Sequence, residues 1–305
     1  MEFPGFRLLR LVAGAFAVLL AGCIPPGPGG LPPEAGSPRA SGQDSLHHVV
    51  VIVEENKAAD AILGSSEAPF INRLASDYAL ATDYSAVARP SLPNYLALSS
   101  GTTAGITRDC RPSPHCRAAV PSIAGAIDRS GRTWKMYAEG IPAPCGREDS
   151  GRYAVRHNPF AYYPEVTDDA AYCAGHVVPL TELSGDLASG SDLPDFAFIS
   201  PDLCHDMHDC PVRTGDDWLS EWVPRILAAP AFARGRSLLV VVWDEGQGSS
   251  NKVAAIFAGP AARRGYRSGT AFSHYSLLHT IQRAWGLAPL TGEVRQAPMM
   301  DELLR

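Results

Sequence analysis

Two long apolar runs stand out along the chain, at residues 47–53 and 237–243, and each ends directly in polar side chains. Continuous β-branched runs are typical of strands buried on both faces of a parallel sheet. In such sheets, ligands collect at the carboxyl ends of the strands. Carboxylate and amide oxygens there are candidate ligands of a divalent metal ion. The side chains that follow the two runs are Glu54, Glu55, Asn56, Asp244 and Glu245.

Weaker patterns between these runs predict alternating strands and helices. A helix is expected at 69–80, a strand at 81–87 and a second helix just after Ser91. This order predicts an α/β fold with a mostly parallel central sheet and helices on both faces. The many Pro, Gly, Asp and Tyr residues in 140–194 predict a long irregular stretch, and such a stretch in a compact domain usually has a function. Later elements are predicted as helices at 121–129, at 214–229 and from 273, and as strands at 133–138, 195–200 and 253–258.

Ser91 lies in the segment 89–95 (RPSLPNY), where proline and the following apolar residues predict the start of a helix. The position resembles an N-cap, and in most cases such a serine is only a cap. The same place offers free backbone N–H groups and the positive end of the helix dipole, which suit a phosphoryl oxygen. Whether Ser91 is a nucleophile therefore depends on which other groups reach it.

The first residues carry two arginines, an apolar run at 11–20 and the sequence LAGC ending at Cys23. A short apolar core followed by small residues and a cysteine predicts a bacterial lipoprotein signal. We expect residues 1–22 to be a signal peptide, Cys23 to be lipidated, 23–45 to be a flexible tether and 46–305 to form the folded domain. An ordinary signal peptide with an incidental cysteine is the alternative. The protein would be exported and lipid-anchored to a membrane, periplasmic or at the cell surface, or secreted.

Charge and cysteine content narrow the classes of partner and fold further. A net charge of −6 over 305 residues leaves no excess of cations for nucleic acid. An even number of cysteines remains after Cys23, which in an exported chain predicts disulfides. The sequence leaves their connectivity open, and nearest-neighbour pairing would give two short loops and one long loop. A thiolate metal site is the alternative, but the chain has no C-x-x-C pair. The six cysteines are Cys110, Cys116, Cys145, Cys173, Cys204 and Cys210.

Histidines mark three further candidate positions. The segment 201–210 holds three aspartates and two histidines, a concentration that a plain turn does not require. His157 lies in the irregular stretch, where a lone histidine is more often a surface residue. His274 is placed near the start of the last predicted helix.

Six short motifs then occur in one order: VEEN at 53–56, PSLPNY at 90–95, RHNP at 156–159, DMHDC at 206–210, WDE at 243–245 and SHY at 273–275. Together they resemble the bacterial phosphoesterase family of secreted acid phosphatases and phospholipases C, within the alkaline phosphatase superfamily. The motifs span nearly all of the mature chain, so the resemblance implies an alkaline-phosphatase-like fold.

The resemblance also implies a metal-assisted serine mechanism. Ser91 would be the nucleophile that forms a phospho-enzyme. A divalent metal ion, of a kind that the motifs do not specify, would contact the serine oxygen and lower its pKa. Asp206 would orient a histidine or add a further ligand. The remaining implied metal ligands are Glu55, Asn56, Asp244 and Glu245.

Phosphate contacts follow from the same resemblance. Asn94 and His157 would hold non-bridging phosphate oxygens, and His208 and His274 would bind phosphate or protonate the leaving alcohol. Arg89 stands where relatives often have histidine, which suggests a more anionic substrate.

The expected function is that of an exported acid phosphatase acting on phosphomonoesters, with phosphatidylinositol 3-phosphate as a candidate substrate. Its expected partners are a phosphate ester, a phosphoinositide among them, and the membrane through the lipid anchor. A phospholipase C-type phosphodiesterase is the alternative, and the lack of the large C-terminal extension of many such enzymes favours the monoesterase. An inactive, ligand-binding surface lipoprotein is disfavoured because every type of metal ligand is present.

Overall fold

The computed structural model describes residues 45–248 and 250–305. The predicted signal peptide, the lipidated Cys23 and nearly all of the tether at 23–45 lie outside these residues. Within the described ranges, no helix is both long and apolar enough to cross a membrane.

The predicted α/β fold with a mostly parallel sheet is confirmed. An eight-stranded sheet has the order β5-β4-β6-β1-β7-β8-β2-β9, and β8 alone runs antiparallel to its neighbours β7 and β2 in this described sheet. A separate small sheet pairs β3 with β10 in parallel. The strands are β1 (Val49–Glu54), β2 (Ala79–Ala81), β3 (Tyr84–Ser85), β4 (Trp134–Ala138), β5 (Val177–Pro179), β6 (Phe196–Ser200), β7 (Leu238–Trp243), β8 (Ala255–Ala258), β9 (Tyr266–Ser268) and β10 (Phe272–Ser273).

Helices of very different lengths connect and cover these strands. The longest, α8, carries Pro224 in its interior, and its buried stripe includes Trp218 and Leu219. Short 3-10 turns lie at Val155–His157, Pro159–Tyr162, Leu180–Glu182 and Asp301–Leu303. The α-helices are α1 (Ala59–Ile62), α2 (Pro69–Asp77), α3 (Ser91–Ser100), α4 (Ile123–Arg129), α5 (Pro164–Thr167), α6 (Ala170–His176), α7 (Leu183–Ala188), α8 (Val212–Ala228), α9 (Pro230–Ala233), α10 (His274–Ala284) and α11 (Gly292–Gln296).

Strand β1 is the centre of the sheet. It lies between β6 and β7 and pairs with both in parallel. Residues 49–53 of β1 and 238–243 of β7 are all buried, as their apolar sequences predict, and Glu54 at the end of β1 is buried with them. Removing such Val, Ile and Leu side chains from water contributes about 1.5–3 kcal/mol each. The two strongest sequence patterns therefore form the two adjacent central strands.

The structure differs from the prediction where strands are short. The expected strand at 81–87 is divided between β2, in the main sheet, and β3, which pairs with β10. The expected helix at 69–80 ends at Asp77, because the chain then enters β2. The stretch 140–194, predicted to be irregular, contains three short helices and β5. These elements are stabilised by tertiary pairing, which local patterns do not reveal.

Three disulfides join nearest neighbours, Cys110–Cys116, Cys145–Cys173 and Cys204–Cys210. The two short bridges close loops with a sequence separation of 6, and the long bridge spans 28. The nearest-neighbour pairing weighed from the sequence is thus the one found. A crosslink of this kind is worth roughly 2–4 kcal/mol by restricting the unfolded chain.

Candidate active site

The acids that follow the two central strands meet at one edge of the sheet. Glu54 lies opposite Trp243 in the register of β1 and β7, so the next residues, Glu55 and Asp244, are also neighbours. The backbone N–H of Asp244 donates to the carbonyl of Glu54 at 2.9 Å, which extends the ladder beyond the strands. The backbone N–H of Asn56 donates to Oδ1 of Asp244 at 3.2 Å. The predicted juxtaposition of the two acidic clusters is present.

Ser91 faces these acids from the first turn of α3. Its hydroxyl donates to Oε2 of Glu55 at 3.0 Å, and the residue is only 2% exposed. The structure places Ser91 inside the helix rather than at the N-cap, which is Pro90, and shows no capping bond there. Asp109 instead accepts from the backbone N–H of Leu92 at 3.0 Å. The side chain of Ser91 therefore does not cap the helix, and its hydroxyl points at the carboxylates.

All five predicted metal ligands, Asp206 included, each leave one buried oxygen without a hydrogen-bond partner among the described residues. A buried polar atom without a partner costs roughly 1–3 kcal/mol, so a cluster of them requires compensation. A divalent cation satisfies several oxygens at once and offsets their mutual repulsion. The residues present fit a hard or borderline divalent ion. The atoms are Glu55 Oε1, Asn56 Oδ1, Asp206 Oδ2, Asp244 Oδ2 and Glu245 Oε2.

Burial also disfavours the ionised form of the carboxyl groups in this cluster. It raises the pKa of Glu55 and that of Asp244 well above the usual range, and neighbouring carboxylates raise both further. Burial also raises the pKa of Glu245 to about 7, while Arg89 opposes the shift. Because a bound cation favours the ionised form, it would reverse these shifts.

His157 lies between two of the buried acids. Its Nε2 is 3.3 Å from Oε1 of Glu55, and its Nδ1 is 3.2 Å from Oδ2 of Asp206. One ligand atom from each of these three residues lies within 4.8 Å of the others, so the group could hold a metal ion. Burial lowers the pKa of His157 well below its usual value, and Arg156 and His208 lower it further. A neutral imidazole has one N–H, so it cannot donate to both carboxylates. His157, predicted to contact phosphate, thus also lies where it could donate to a metal ion, and its predicted role stays a prediction.

His208 lies at the rim of the same site. Its Nδ1 is 2.7 Å from Oδ1 of Asp209, and its Nε2 is 3.3 Å from Nη2 of Arg156. Its ring centroid is 5.9 Å from that of His157. The backbone N–H of His208 donates to Oδ1 of Asp206 at 2.8 Å. The Cys204–Cys210 loop therefore brings Asp206 and His208 to the cluster together, and their predicted roles stay predictions.

His274 is near the acids but not free to act on a substrate. Its Nε2 lies 2.6 Å from the backbone carbonyl of Asp244, and its Nδ1 lies 3.1 Å from the hydroxyl of Tyr84. The ring is fully buried, and burial lowers the pKa of His274 to about 4. A neutral ring that donates from Nε2 and accepts at Nδ1 satisfies both contacts. This geometry differs from the predicted catalytic role and indicates that His274 positions Asp244.

Asn94 also differs from its predicted role in phosphate binding. Its Oδ1 accepts from the backbone N–H groups of Val87 and Ala88, and its Nδ2 donates to the carbonyls of Ala88 and Pro90. An amide has two donors and two acceptor positions, so all four are used. Asn94 therefore holds the turn that leads into Ser91.

Two contributing residues, Tyr95 and Lys57, were assigned no role from the sequence, and Arg89 makes a contact other than the expected one. Tyr95 stacks on His157 with ring centroids 5.2 Å apart. Lys57 donates to the carbonyl of Met207 at 2.7 Å. Arg89, expected to favour an anionic substrate, donates from Nε to the carbonyl of Gly246 at 3.0 Å. Of these residues, Tyr95 alone could be placed near the site from the sequence, because it follows Ser91 by four residues and residues four apart share a helix face.

The raised pKa values make a prediction for the metal-free protein. Burial raises the pKa of Asp206 and that of Glu245 to about 7. Between about pH 4 and pH 8 the folded state therefore binds more protons than the unfolded chain, so stability falls as pH rises through the folded pKa values. His157 and His274, whose pKa values burial lowers, oppose this only below about pH 6.5.

We expect the melting temperature of chelator-treated protein to fall by about 5 °C or more from pH 6.5 to pH 8. Differential scanning fluorimetry measures it, and adding a divalent ion should remove most of the decline because the bound ion favours ionised carboxylates. A melting temperature that rises over this interval in the metal-free protein contradicts the interpretation.

The fold and the cluster around Ser91 agree with a hydrolase of phosphoric esters, the class to which the family match and the named relatives assign the chain. The chain belongs to the phosphoesterase family, whose profile matches residues 65–288. It is 35% identical over 302 residues to the phosphatidylinositol-3-phosphatase of Mycobacterium tuberculosis, covering 98% of this chain and 94% of the relative. It is 31% identical over 229 residues to an acid phosphatase of Aspergillus fumigatus, covering 71% of this chain but only half of that protein.

Solved structures show the same fold at low sequence identity. A Vibrio parahaemolyticus protein of the alkaline phosphatase superfamily superposes with a TM-score of 0.61 at 11% identity, covering 85% of this chain and 70% of that one. The phosphonate monoester hydrolase of Agrobacterium radiobacter gives a TM-score of 0.54 at 14% identity, covering 79% and 74%. The implied superfamily fold is confirmed.

Proposed function

We propose that the protein is an exported, lipid-anchored acid phosphatase that hydrolyses phosphomonoesters through a phosphoserine at Ser91. The observation that carries the proposal is the Ser91 hydroxyl, held at a helix start and bonded to Glu55 among buried oxygens that lack partners in the described chain. A hydroxyl in this position faces both a proton acceptor and the positive end of the α3 dipole.

The chain's own groups supply the steps of the reaction. Oγ of Ser91 attacks phosphorus and passes its proton to Oε2 of Glu55 as the phosphorus–ester oxygen bond breaks. His208, at the rim, protonates the leaving alcohol. Water then attacks the phosphoserine and passes its proton to His208, while the phosphorus–Oγ bond breaks and Glu55 returns its proton to Oγ, which releases phosphate and restores the Ser91 hydroxyl.

A divalent ion bound by Glu55, Asn56, Asp244 and Glu245, when present, would lower the pKa of the serine hydroxyl and offset the phosphoryl charge. Asp206 and His157 lie beside this ligand set and could add donors to it. The backbone of Asp244 is fixed by His274, which keeps that ligand in place.

The proposed substrate class includes phosphoinositides phosphorylated at the 3-position. Support comes from the mycobacterial relative named for that activity, which matches over nearly the whole chain. The acid phosphatase activity is supported by the fungal relatives of that name. Replacing Cys23 by alanine and following the protein between membrane and soluble fractions tests the anchor.

A substrate panel tests the function directly. We expect the purified protein to release inorganic phosphate from p-nitrophenyl phosphate and from phosphatidylinositol 3-phosphate, and to lose this activity in a chelator. It should release little or no phosphocholine from phosphatidylcholine. Phosphocholine release at a rate equal to or above that of phosphate release would instead favour the phospholipase C-type alternative. Equal activity with and without exhaustive chelation would contradict the metal-assisted mechanism.

A further inference from the structure

A second group of metal-binding side chains lies outside the candidate active site. Glu139 follows β4, and Asp202 and His205 follow β6. Nδ1 of His205 is 2.9 Å from Oε2 of Glu139 and 3.5 Å from Oδ1 of Asp202. One ligand atom from each residue lies within 4.8 Å of the others. None of these three residues contacts Ser91 or takes a part in the reaction proposed above.

Glu54 is a buried carboxylate that the candidate active site does not use. It is fully buried, and neither of its oxygens has a hydrogen-bond partner in the described part of the chain. Successive side chains of a strand point to opposite faces, so Glu54 points away from Glu55.

The strand register places Glu54 and Glu139 on the same face of the sheet, with β6 between them. Ile52 pairs with Ile199, and Ala138 pairs with Ser200, so Glu54 and Glu139 fall in one row on either side of β6. The N–H of Glu139 bonds to the carbonyl of Ser200 at 3.0 Å, which continues the ladder to that row. Side chains in one row of a parallel sheet lie on the same face. A buried carboxylate without a partner in the described chain thus lies in the same row as Glu139, across β6.

The group opens into a cleft of about 480 Å³ beneath α8. Glu139 and His205 lie at its base, and Asp217 and Glu221 of α8 add negative charge to its wall. Trp218 donates from Nε1 to Oε1 of Glu139 at 3.3 Å. Such a cleft attracts cations and gives them a path from solvent.

We propose that Glu139, Asp202 and His205 bind a second divalent metal ion, with Glu54 as the carboxylate in the same row across β6. One imidazole nitrogen and two carboxylate oxygens, with room for water, suit a borderline ion of the zinc type. The ion would tie the end of β4 to the start of the Cys204–Cys210 loop. It would therefore position the loop that carries Asp206 and His208 without touching the substrate.

Metal stoichiometry tests the site independently of catalysis. Full-length protein is freed of metal with a chelator, dialysed against Zn²⁺ and measured by mass spectrometry of the bound metal. We expect two ions per chain in the wild type, one in His205→Ala, and one in Asp244→Ala, which affects the active-site ion. Glu139→Gln provides a second variant, and circular dichroism verifies that each variant is folded. Glu221→Gln, in the same cleft but outside the ligand set, should keep two ions.

Fluorescence and affinity give two further readouts. Zn²⁺ should change the tryptophan emission of Asp244→Ala, which lacks the active-site ion, but not that of the double variant Asp244→Ala with His205→Ala. Glu54→Gln should weaken this response by about tenfold in Kd, as loss of a group outside the ligand set does. The proposal is overturned if the wild type binds only the ion that Asp244→Ala removes, or if folded His205→Ala and Glu139→Gln bind as much Zn²⁺ as the wild type.

Discussion

Replacing Ser91 by alanine should lower kcat for phosphomonoesters by about 10³-fold or more while the protein stays folded. The substitution removes the oxygen proposed to attack phosphorus. It also removes one hydrogen bond to Glu55, but no helix cap, because the side chain of Ser91 does not cap α3. Steady-state phosphate release and the melting temperature measure the two effects separately.

Ser100→Ala is the matched control, because it deletes a buried hydroxyl of the same helix. That hydroxyl bonds to the carbonyls of Leu96 and Thr102 at the other end of α3. We expect Ser100→Ala to reduce stability by about 1 kcal/mol and to leave kcat nearly unchanged. Activity of Ser91→Ala within tenfold of the wild type would exclude Ser91 as the nucleophile.

Asp244→Ala should remove the active-site metal ion and reduce activity by at least about 10²-fold, with little loss of folded protein. Burial and the neighbouring charge of Glu245 raise the pKa of Asp244, so the ionised side chain is unfavourable without a cation. The substitution relieves that repulsion. The backbone contacts of residue 244 with Glu54 and His274 do not require the side chain.

Asp216, a second buried aspartate, provides the control for Asp244→Ala. Asp216 accepts from the backbone N–H groups of Phe70 and Ile71, at 3.1 and 2.8 Å, at the start of α2. Asp216→Asn should therefore reduce stability by roughly 1–3 kcal/mol without changing metal content. Unchanged metal content in Asp244→Ala would refute the assignment of Asp244 as a ligand.

The central part of this structure could be predicted because its physical causes are local. An unbroken apolar run has few alternatives to a buried strand, and acids at its end must lie at the sheet edge. Strands β1 and β7, and the meeting of Glu55 with Asp244, follow from that reasoning. The short strands β9 and β10 contain two or three residues each, too few to show a period.

The orientation of individual side chains could not be predicted in the same way. The orientation of the His274 ring is fixed partly by the hydroxyl of Tyr84, which lies 190 residues away in sequence, and no local pattern connects the two residues. Asn94, by contrast, is held by backbone groups within seven residues, but a sequence motif does not tell a structural amide from a binding one. Motifs therefore identified which residues gather at the site more reliably than what each one does there.

The position of β1 between β6 and β7 has a consequence for how the chain acquires its structure. A chain made from its N-terminus produces the segment VVVIVE early, whereas both partner strands follow well over one hundred residues later. Until then this segment is an apolar strand without neighbours, of the kind that pairs with other chains and aggregates. Closing such long loops is also slow. The arrangement that brings Glu55 to Asp244 therefore requires that nascent chains be protected from aggregation until the last third of the protein has been synthesised.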